Sequence, residues 1–328
     1  MSKNLTICIP TFNESKNLEG LFKSLYKSDL DLFDYEILLC DSGSDDDTYQ
    51  VIDRWLEKLK IKTIVTSGAN ASQNLNAGIR AAKNSIFCWI APRSRVSSNY
   101  FSIGCKYLKL NKNKYCVIGP SVVAIPRSNN VLSNFIAKFF VSPFFMGPSK
   151  WKRSIFYNNF EGVVSTVYIG FFWTNDLRDI CGFNNSLQRR QDIDLLHRLQ
   201  ILTNKKLFNT FNLKATYVLK HDTLIKICYR SYFQGKYAIL YLTTIKLVHL
   251  LPFFFLVLFL SLNFIIPSSS LFLIGFYGLL VVLAGFLETF KFLSMPIALL
   301  TFPLVHLSYV VGNIHGLAKK TMNSVKGK

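Results

Sequence analysis

The chain predicts an α/β fold in which a mostly parallel sheet is flanked by helices and followed by C-terminal transmembrane or interfacial helices. Three observations carry that expectation. Near the start, short apolar runs alternate with stretches whose apolar residues recur at helical spacing, the pattern of parallel strands joined by crossover helices. Beyond residue 247 the apolar stretches reach the length that a bilayer requires. Finally, the 328 residues combine a net charge of +19 with a hydrophobic fraction of 50%. Those two values fit together when Lys and Arg face anionic headgroups or phosphate-bearing substrates while the apolar excess lies in lipid. Strongly basic soluble domains carry fewer apolar residues, so a membrane is expected as a partner and nucleic acid is not.

The elements follow in order. Leu5 to Ile9 is an apolar run ended by Pro10, after which Leu18, Leu21, Phe22 and Leu25 mark a helical face. Tyr35 to Cys40 is a second strand, stopped by Asp41-Ser42-Gly43-Ser44, and Val51, Ile52, Trp55, Leu56 and Leu59 form the next helical face. Ser44 with Asp47 fits a helix-start capping pair. Ile61 to Val65 is a third strand, Ser72 to Ala82 a third helix and Ile86 to Ile90 a fourth strand. Ligands of such sheets bind beyond the carboxyl ends of the strands, here Thr11 to Glu14, Asp41 to Ser44 and Ala91 to Arg95.

From Lys106 to Phe160 basic residues, aromatics and Pro/Gly turns mix without period, which reads as acceptor-side structure or an interfacial loop. Val163 to Phe172 reads as a strand, and Asp192, Leu195, Leu196, Leu199 and Leu202 suit a helix that opens on an acidic residue. The first domain then runs over residues 1–220, a basic interfacial helix over 221–246, hydrophobic membrane segments over 247–315 and a basic cytosolic tail over 316–328. Within the third block, Leu247 to Ile266 and Leu271 to Leu287 predict a two-span hairpin turning at Pro267 to Ser270. The stretch from Phe292 to Val311, interrupted by Pro296 and Pro303, is expected to lie in the interface or to re-enter. Lys319, Lys320, Lys326 and Lys328 place the tail on the cytosolic side by the positive-inside tendency. With no signal peptide in front of the first strand, the catalytic domain is expected at the cytosolic face of the cell membrane. The sparse charges within the apolar segments argue against a small transporter. The seven cysteines are scattered without a C-x-x-C pair and predict reduced, buried thiols, with neither zinc nor a disulfide framework.

Three motifs sit at strand-to-helix junctions. Ile9-Pro10-Thr11-Phe12-Asn13-Glu14, then Asp41-Ser42-Gly43-Ser44-Asp45-Asp46-Asp47-Thr48, then Asn76-Ala77-Gly78-Ile79-Arg80-Ala81-Ala82 resemble, in order, the signatures of family-2 glycosyltransferases with the GT-A fold. The resemblance is closest to the succinoglycan-type glucosyltransferase group of bacterial polysaccharide assembly. It extends through Ser142-Pro143-Phe144, Gly170-Phe171-Phe172, Cys181-Gly182-Phe183-Asn184, Gln191-Asp192-Ile193-Asp194, Tyr232-Phe233-Gln234-Gly235-Lys236 and Pro303-Leu304-Val305-His306. It implies a nucleotide-sugar donor and a membrane-bound, lipid-linked or polysaccharide acceptor. Pro10, Thr11, Glu14, Asp41, Ser42 and Asn76 would then line the donor site, and Asp192 would be the general base of an inverting, single-displacement transfer. Asn76-Ala77-Gly78 serves equally for close helix packing. Asp194 reads as an orienting residue, and His197 and Arg198 either touch the donor diphosphate or form a solvated face.

At one point the chain departs from the family. Where relatives carry a D-x-D or D-x-H metal motif after the fourth strand, this chain has Ile90-Ala91-Pro92-Arg93-Ser94-Arg95, with Ala91 and Arg93 in the two ligand positions. Neither suits a hard divalent cation, which takes carboxylate oxygens, so no metal and no other cofactor is expected. Two readings stay open. Arg93 or Arg95 replaces the cation in a metal-independent enzyme, since guanidinium binds phosphate through a charged planar fork; or the domain binds a nucleotide sugar or glycan without transferring it, as the partner of an active enzyme.

Overall fold

The computed structural model describes residues 4–128, 130–141, 160–187, 190–219, 223–240, 251–266, 269–289 and 294–326. It divides into two compact units, one of residues 1–123 with 149–218 and the other of residues 124–148 with 219–328.

The first unit is a helix-covered sheet. Strands β1 (Asn4–Thr11), β2 (Asp34–Asp41), β3 (Ile61–Val65) and β4 (Ile86–Trp89) alternate with helices α1 (Ser15–Tyr26), α2 (Thr48–Asp53) and α3 (Ala71–Ala81). These four strands run parallel in the spatial order β3-β2-β1-β4. After β4 the sheet becomes mixed. Beyond the short β5 (Ser94–Val96), helix α4 (Tyr100–Leu110) leads to β6 (Tyr115–Ile125), and β7 (Gly162–Val164), β8 (Gly170–Trp173) and β9 (Lys206–Val218) follow. β8 joins β4 antiparallel, β6 joins β8 antiparallel, and β5 and β7 both pair antiparallel with β9. Helices α6 (Thr174–Asp179) and α7 (Gln191–Thr203) complete the unit.

Strand alternation divides the core. Leu5, Ile7 and Ile9 face Leu18, Leu21 and Phe22 of α1, in one cluster with Ile52 and Phe101. On the opposite face, Cys8, Leu38 and Cys40 pack with Leu75 and Ile79 of α3 and Leu195 and Leu199 of α7. Gly78 lets α3 sit against β1, since a Cβ there would overlap the Cys8 sulfur. The free cysteines Cys8, Cys40, Cys88, Cys105 and Cys116 are buried, Cys228 is half-buried and Cys181 is exposed.

Several expectations are corrected here. Between Lys106 and Phe160 the described residues form the end of α4, the long strand β6 and helix α5 (Val131–Val141). Cys116, Val117 and Ile118 are buried in the sheet, so burial overrides a composition that looked irregular. The single strand expected from Val163 to Phe172 is two, β7 and β8. At the start of α2 neither Ser44 nor Asp47 caps the helix; Asp46 Oδ1 accepts the Thr48 N–H at 3.0 Å. Ser142-Pro143-Phe144 lies outside the described residues.

The second unit contains α5, α8 (Leu224–Leu240), α9 (Leu251–Ile265), α10 (Ser269–Thr289) and α11 (Ser294–Lys326). α8 and α11 approach backbone to backbone at Gly235, Gly312 and Gly316, where a Cβ would collide with the carbonyls of Tyr309, Tyr232 and Lys236. Ser231 Oγ donates across the same contact to Val305 O at 2.8 Å. Among the described residues one helix segment is long and apolar enough to cross a membrane, Met295–Met322, with a mean hydropathy of 1.7. The expected hairpin and the interfacial third segment thus exchange emphasis. α11 runs unbroken through Pro303 and continues to Lys326, whereas the apolar parts of α9 and α10 are the shorter Pro252–Leu262 and Leu271–Ala284. Residues 241–250, Pro267 and Ser268, including the expected turn, fall outside the described residues.

Candidate active site

The site is assembled by the parallel register of β1 and β2, which sets Thr11 opposite Asp41. Both chains therefore leave the sheet side by side. Asn13 adopts a left-handed backbone (φ 52°), as Asn tolerates, and its N–H donates to Ser44 Oγ at 2.9 Å. Its side chain then clasps Asp45: Asn13 Nδ2 donates to Asp45 Oδ1 at 2.7 Å, and Asp45 N donates to Asn13 Oδ1 at 3.0 Å. Below this clasp, Ser15 N and Oγ both donate to Asp46 Oδ2. Burial pushes the Asp46 carboxyl up, but the hydrogen bonds from Thr48 and Ser15 outweigh it and hold the group below its ordinary value.

Asp41 is fully buried. Its Oδ1 accepts from Gly43 N at 2.9 Å, Ser44 N at 2.7 Å and the Tyr49 hydroxyl at 2.9 Å, and its Oδ2 accepts from Ser44 Oγ at 2.6 Å. A carboxylate offers about four lone-pair positions, so Asp41 spends its accepting capacity on its own loop. Ser42 is held from the other side by Asn74, whose Nδ2 lies 2.8 Å from Ser42 Oγ, 3.0 Å from Cys40 O and 3.4 Å from Thr11 O. Asn74 is thus the buried tie across the ends of β1 and β2. Its only mark in the sequence is a polar residue where the helix faces the sheet.

The end of β4 supplies the charged part of the site. Arg93 Nε donates to Glu14 Oε1 at 3.1 Å, with the two side chains 13% and 15% exposed. Glu14 Oε2 also accepts from Asn17 Nδ2 at 2.5 Å. Arg93 Nη1 is buried and has no acceptor among the described residues. Arg95 points elsewhere: its guanidinium covers Gly20 of α1, Nη1 donates to Ser94 O at 2.7 Å, and burial lowers its pKa. Thr11 is buried, with Oγ1 donating to Ile9 O at 3.3 Å, and Pro10 is half-buried beside it. Ala91 and Arg93 offer no metal ligand, and among the described residues no group of three His, Cys, Asp or Glu side chains is placed to hold a metal ion. Positions 91 and 93 thus present no carboxylate to a divalent cation.

Asp192 lies in the first turn of α7, half-buried at the surface. Burial raises its carboxyl above the ordinary carboxylate value, against the pull of the Ile193 and Asp192 N–H groups. Asn76 faces this part of the unit. Its Oδ1 accepts from Phe183 N at 2.7 Å, and its Nδ2 donates to Phe183 O at 2.8 Å and to Asn185 Oδ1 at 2.9 Å. Arg198 is likewise engaged, with Asp194 and with the carbonyls of Ile180 and Gly182. The structure brings Thr11, Glu14, Asp41, Ser42 and Arg93 together at the strand ends, and sets Asn76 and Asp192 around the loop before α7. Among the described residues no hydrogen bond or ion pair joins the two groups directly; α3 carries both Asn74 and Asn76. An open depression of about 400 Å³ borders the strand-end loops, lined by Thr66, Ser67, Gly68, Gln73, Arg80 and Asn185.

Residues 6–91, spanning β1 to β4 and their loops, match the family model described as Glycosyl transferase family 2. That stretch is thus similar to family-2 glycosyltransferases, and it is carried on an α/β, GT-A-like fold. Among particular relatives, abequosyltransferase RfbV of Salmonella typhimurium is 30% identical over 89 residues, 26% of this chain and 26% of that protein. Poly(ribitol-phosphate) beta-N-acetylglucosaminyltransferase TarS of Staphylococcus aureus is 24% identical over 87 residues, 26% of this chain and 15% of that one. The chain thus spans about a quarter or less of the length of these curated relatives. The crystal structure of S. aureus TarS 1-349 superposes with a TM-score of 0.51 at 14% identity, over 94% of this chain and 91% of that one. Its complex with UDP superposes with a TM-score of 0.50 at 12% identity, over 95% and 90%. At such identities the likeness is one of fold.

Proposed function

We propose that the protein is a metal-independent, inverting glycosyltransferase that moves a sugar from a nucleotide-sugar donor to a lipid-linked or polysaccharide acceptor at the cytosolic face of the cell membrane. The observation that carries this reading is the buried Glu14–Arg93 pair at the ends of β1 and β4, where the resemblance calls for metal ligands. A divalent cation held by two carboxylates and a guanidinium held by one are both locally neutral, and both leave cationic contacts for a diphosphate. The match of residues 6–91 to the family-2 model and the relatives' printed activities support a sugar donor. The binding of UDP by the TarS fragment supports a nucleoside diphosphate as a ligand. The narrower likeness to the succinoglycan-type group rests on the later motifs of the sequence.

In this mechanism Asp192 takes the proton of the acceptor hydroxyl as its oxygen bonds to the anomeric carbon. The bond from that carbon to the diphosphate oxygen breaks, the nucleoside diphosphate leaves, and the proton stays on Asp192. The raised pKa of Asp192 suits a base. Glu14 orients Arg93, while Asp41, Ser42 and Asn74 fix the loop shape against which Pro10 and Thr11 present the donor. The second unit holds the enzyme at the bilayer through Met295–Met322, with Lys319 and Lys320 at its basic end.

The test is transfer by the purified full chain in lipid, with a nucleotide-sugar panel, lipid-linked acceptors and added chelator. Turnover that chelator leaves unchanged is expected. Loss of turnover on chelation overturns metal independence. Calorimetric donor binding without transfer from any donor makes the chain a non-catalytic binding partner.

A further inference from the structure

The reading above gives no role to Cys181-Gly182-Phe183-Asn184 or to Arg198. We propose that Arg198 and Asn76 are positioning residues that fix the loop of residues 180–185 and, through it, the N-terminal turn of α7 that carries Asp192. The inference rests on the proposed transfer mechanism for its catalytic consequence, but the positioning itself stands on geometry.

Arg198 is anchored on its own helix. Asp194 Oδ2 accepts from Arg198 Nε at 2.9 Å and from Nη2 at 2.7 Å, one helical turn away. The guanidinium then reaches back over the preceding loop, with Nη1 donating to Ile180 O at 2.6 Å and Nη2 to Gly182 O at 2.7 Å. A planar fork can hold a carboxylate and two carbonyls at once, whereas an ammonium is a point charge with no such geometry. From the other side, Asn76 brackets residue 183 by accepting its N–H and donating to its carbonyl, and it also holds Asn185. Gly182, at φ +66°, leaves the space that the Asn76 side chain occupies, since a Cβ there would overlap Asn76 Oδ1. The loop is thus gripped by α3 and by α7. α3 also carries Asn74, which ties the ends of β1 and β2. One rigid helix therefore references both the donor loops and the start of the Asp192 helix.

Arg190, just before α7, has a left-handed backbone (φ 64°), so the chain enters the helix through a conformation that a non-glycine residue holds only when its surroundings fix it. Asp194 N donates to Arg190 O at 3.0 Å, and Asp194 is the residue that Arg198 holds. Loosening the Arg198 and Asn76 contacts changes where the Asp192 carboxyl sits and how deeply it is buried, while leaving the β1 and β2 loops in place.

The experiment uses the full chain and four variants: Arg198→Lys, Arg198→Leu, Asn76→Ala and the reference Asp192→Asn. Hydrogen exchange of backbone amides reads the positioning without any need for turnover. Faster exchange at residues 181–187 and 190–194, with unchanged protection at residues 11–15 and 42–48, is the expected result for the first three. Kinetics then read the consequence. A kcat lowered about tenfold or more is expected, with donor KM and the Kd for UDP changed less than twofold and the acid limb of the kcat–pH profile displaced from that of the native chain. Arg198→Lys should rescue little of this, although it preserves the charge. Exchange unchanged at residues 181–194 in a folded variant overturns the proposal, and so does a kcat loss with an unmoved pH profile that merely follows the melting temperature. Failure of the transfer mechanism looks different: Asp192→Asn turns over like the native chain, or the native chain transfers nothing, while the exchange result stands on its own.

Discussion

Replacing Arg93 with Gln tests the charged heart of the site, because it removes one partner of a pair whose side chains are only 13% and 15% exposed. Breaking a buried ion pair costs about 3–5 kcal/mol, since the remaining charge stays in a poor solvent. Here Glu14 keeps the Asn17 amide at 2.5 Å, which places the expected loss at the lower end, about 3 kcal/mol. For a unit of this size that corresponds to a melting temperature lower by about 6–12 °C. Glu14→Gln should cost a similar amount by stranding the guanidinium, whose Nη1 already has no acceptor among the described residues. The double variant Glu14→Gln/Arg93→Gln should recover about 2 kcal/mol of the summed losses, a coupling within the range for residues in direct contact. Thermal and urea unfolding of the four proteins gives this cycle. UDP titration of the same set gives the functional half, with weak binding expected in every protein that lacks Arg93, chelator or not. Single variants within about 1 kcal/mol of the native chain would show the pair to behave as an exposed one. Native UDP affinity in Arg93→Gln would refute the assignment of the cation to this residue.

Three further outcomes are expected. Asp192→Asn should lower kcat by about 10²–10⁴-fold with UDP binding intact by calorimetry, and the native kcat should rise with pH through a value above the ordinary carboxylate range, because burial raises this group. The sign for stability is the reverse: a carboxyl raised by burial contributes most below its unfolded pKa and loses that contribution as pH rises through the folded value, so Asp192→Asn should melt higher than the native chain at neutral pH. Asn74→Ala removes the amide that Ser42 Oγ and Cys40 O accept from, while Thr11 O keeps its bond from Ser42 N–H; it should cost about 1–3 kcal/mol in urea unfolding and weaken UDP binding. Gly78→Ala forces a methyl against the Cys8 sulfur and should cost about 1–3 kcal/mol in the same unfolding assay; a neutral result would mean that α3 can shift without penalty.

The first four strands were legible because each is a run of apolar residues ended by a polar loop; two of the family motifs lie on such loops, and the third, Asn76 to Ala82, runs along α3 to its C-cap and not at a strand-to-helix junction. β6 and β9 were not. Their alternation is broken by residues such as Asn209, Asn212 and Lys214, and the burial of β6 between β8 and β9 is a tertiary fact that local composition does not contain. The candidate site divides in the same way. Glu14 and Arg93 were found by position, yet their pairing depends on β1 and β4 being neighbours. Asn76 stood out as a donor contact, and its amide is spent on Phe183 and Asn185. Asn74 has no local signal because its work is to join segments far apart in the chain, and Tyr49 has none because its hydroxyl reaches back to Asp41 from the start of α2. Arg93 and Arg95 stand two apart and would share a face of an extended chain, but the turn closed by Ser94 N–H on Ala91 O aims them apart.

The four hydrogen bonds that Asp41 accepts bear on how such a site can be re-engineered. Substitution at residue 41 releases the bonds that shape this turn, so libraries that vary it in search of a new donor also disturb the loop. Gly43 (φ 89°) and Gly68 (φ 72°) hold left-handed backbones that a side chain would strain, whereas the exposed Phe12 side chain offers a gentler handle. Changes there alter what a nucleotide meets without disturbing the hydrogen bonds that keep the two loops abreast.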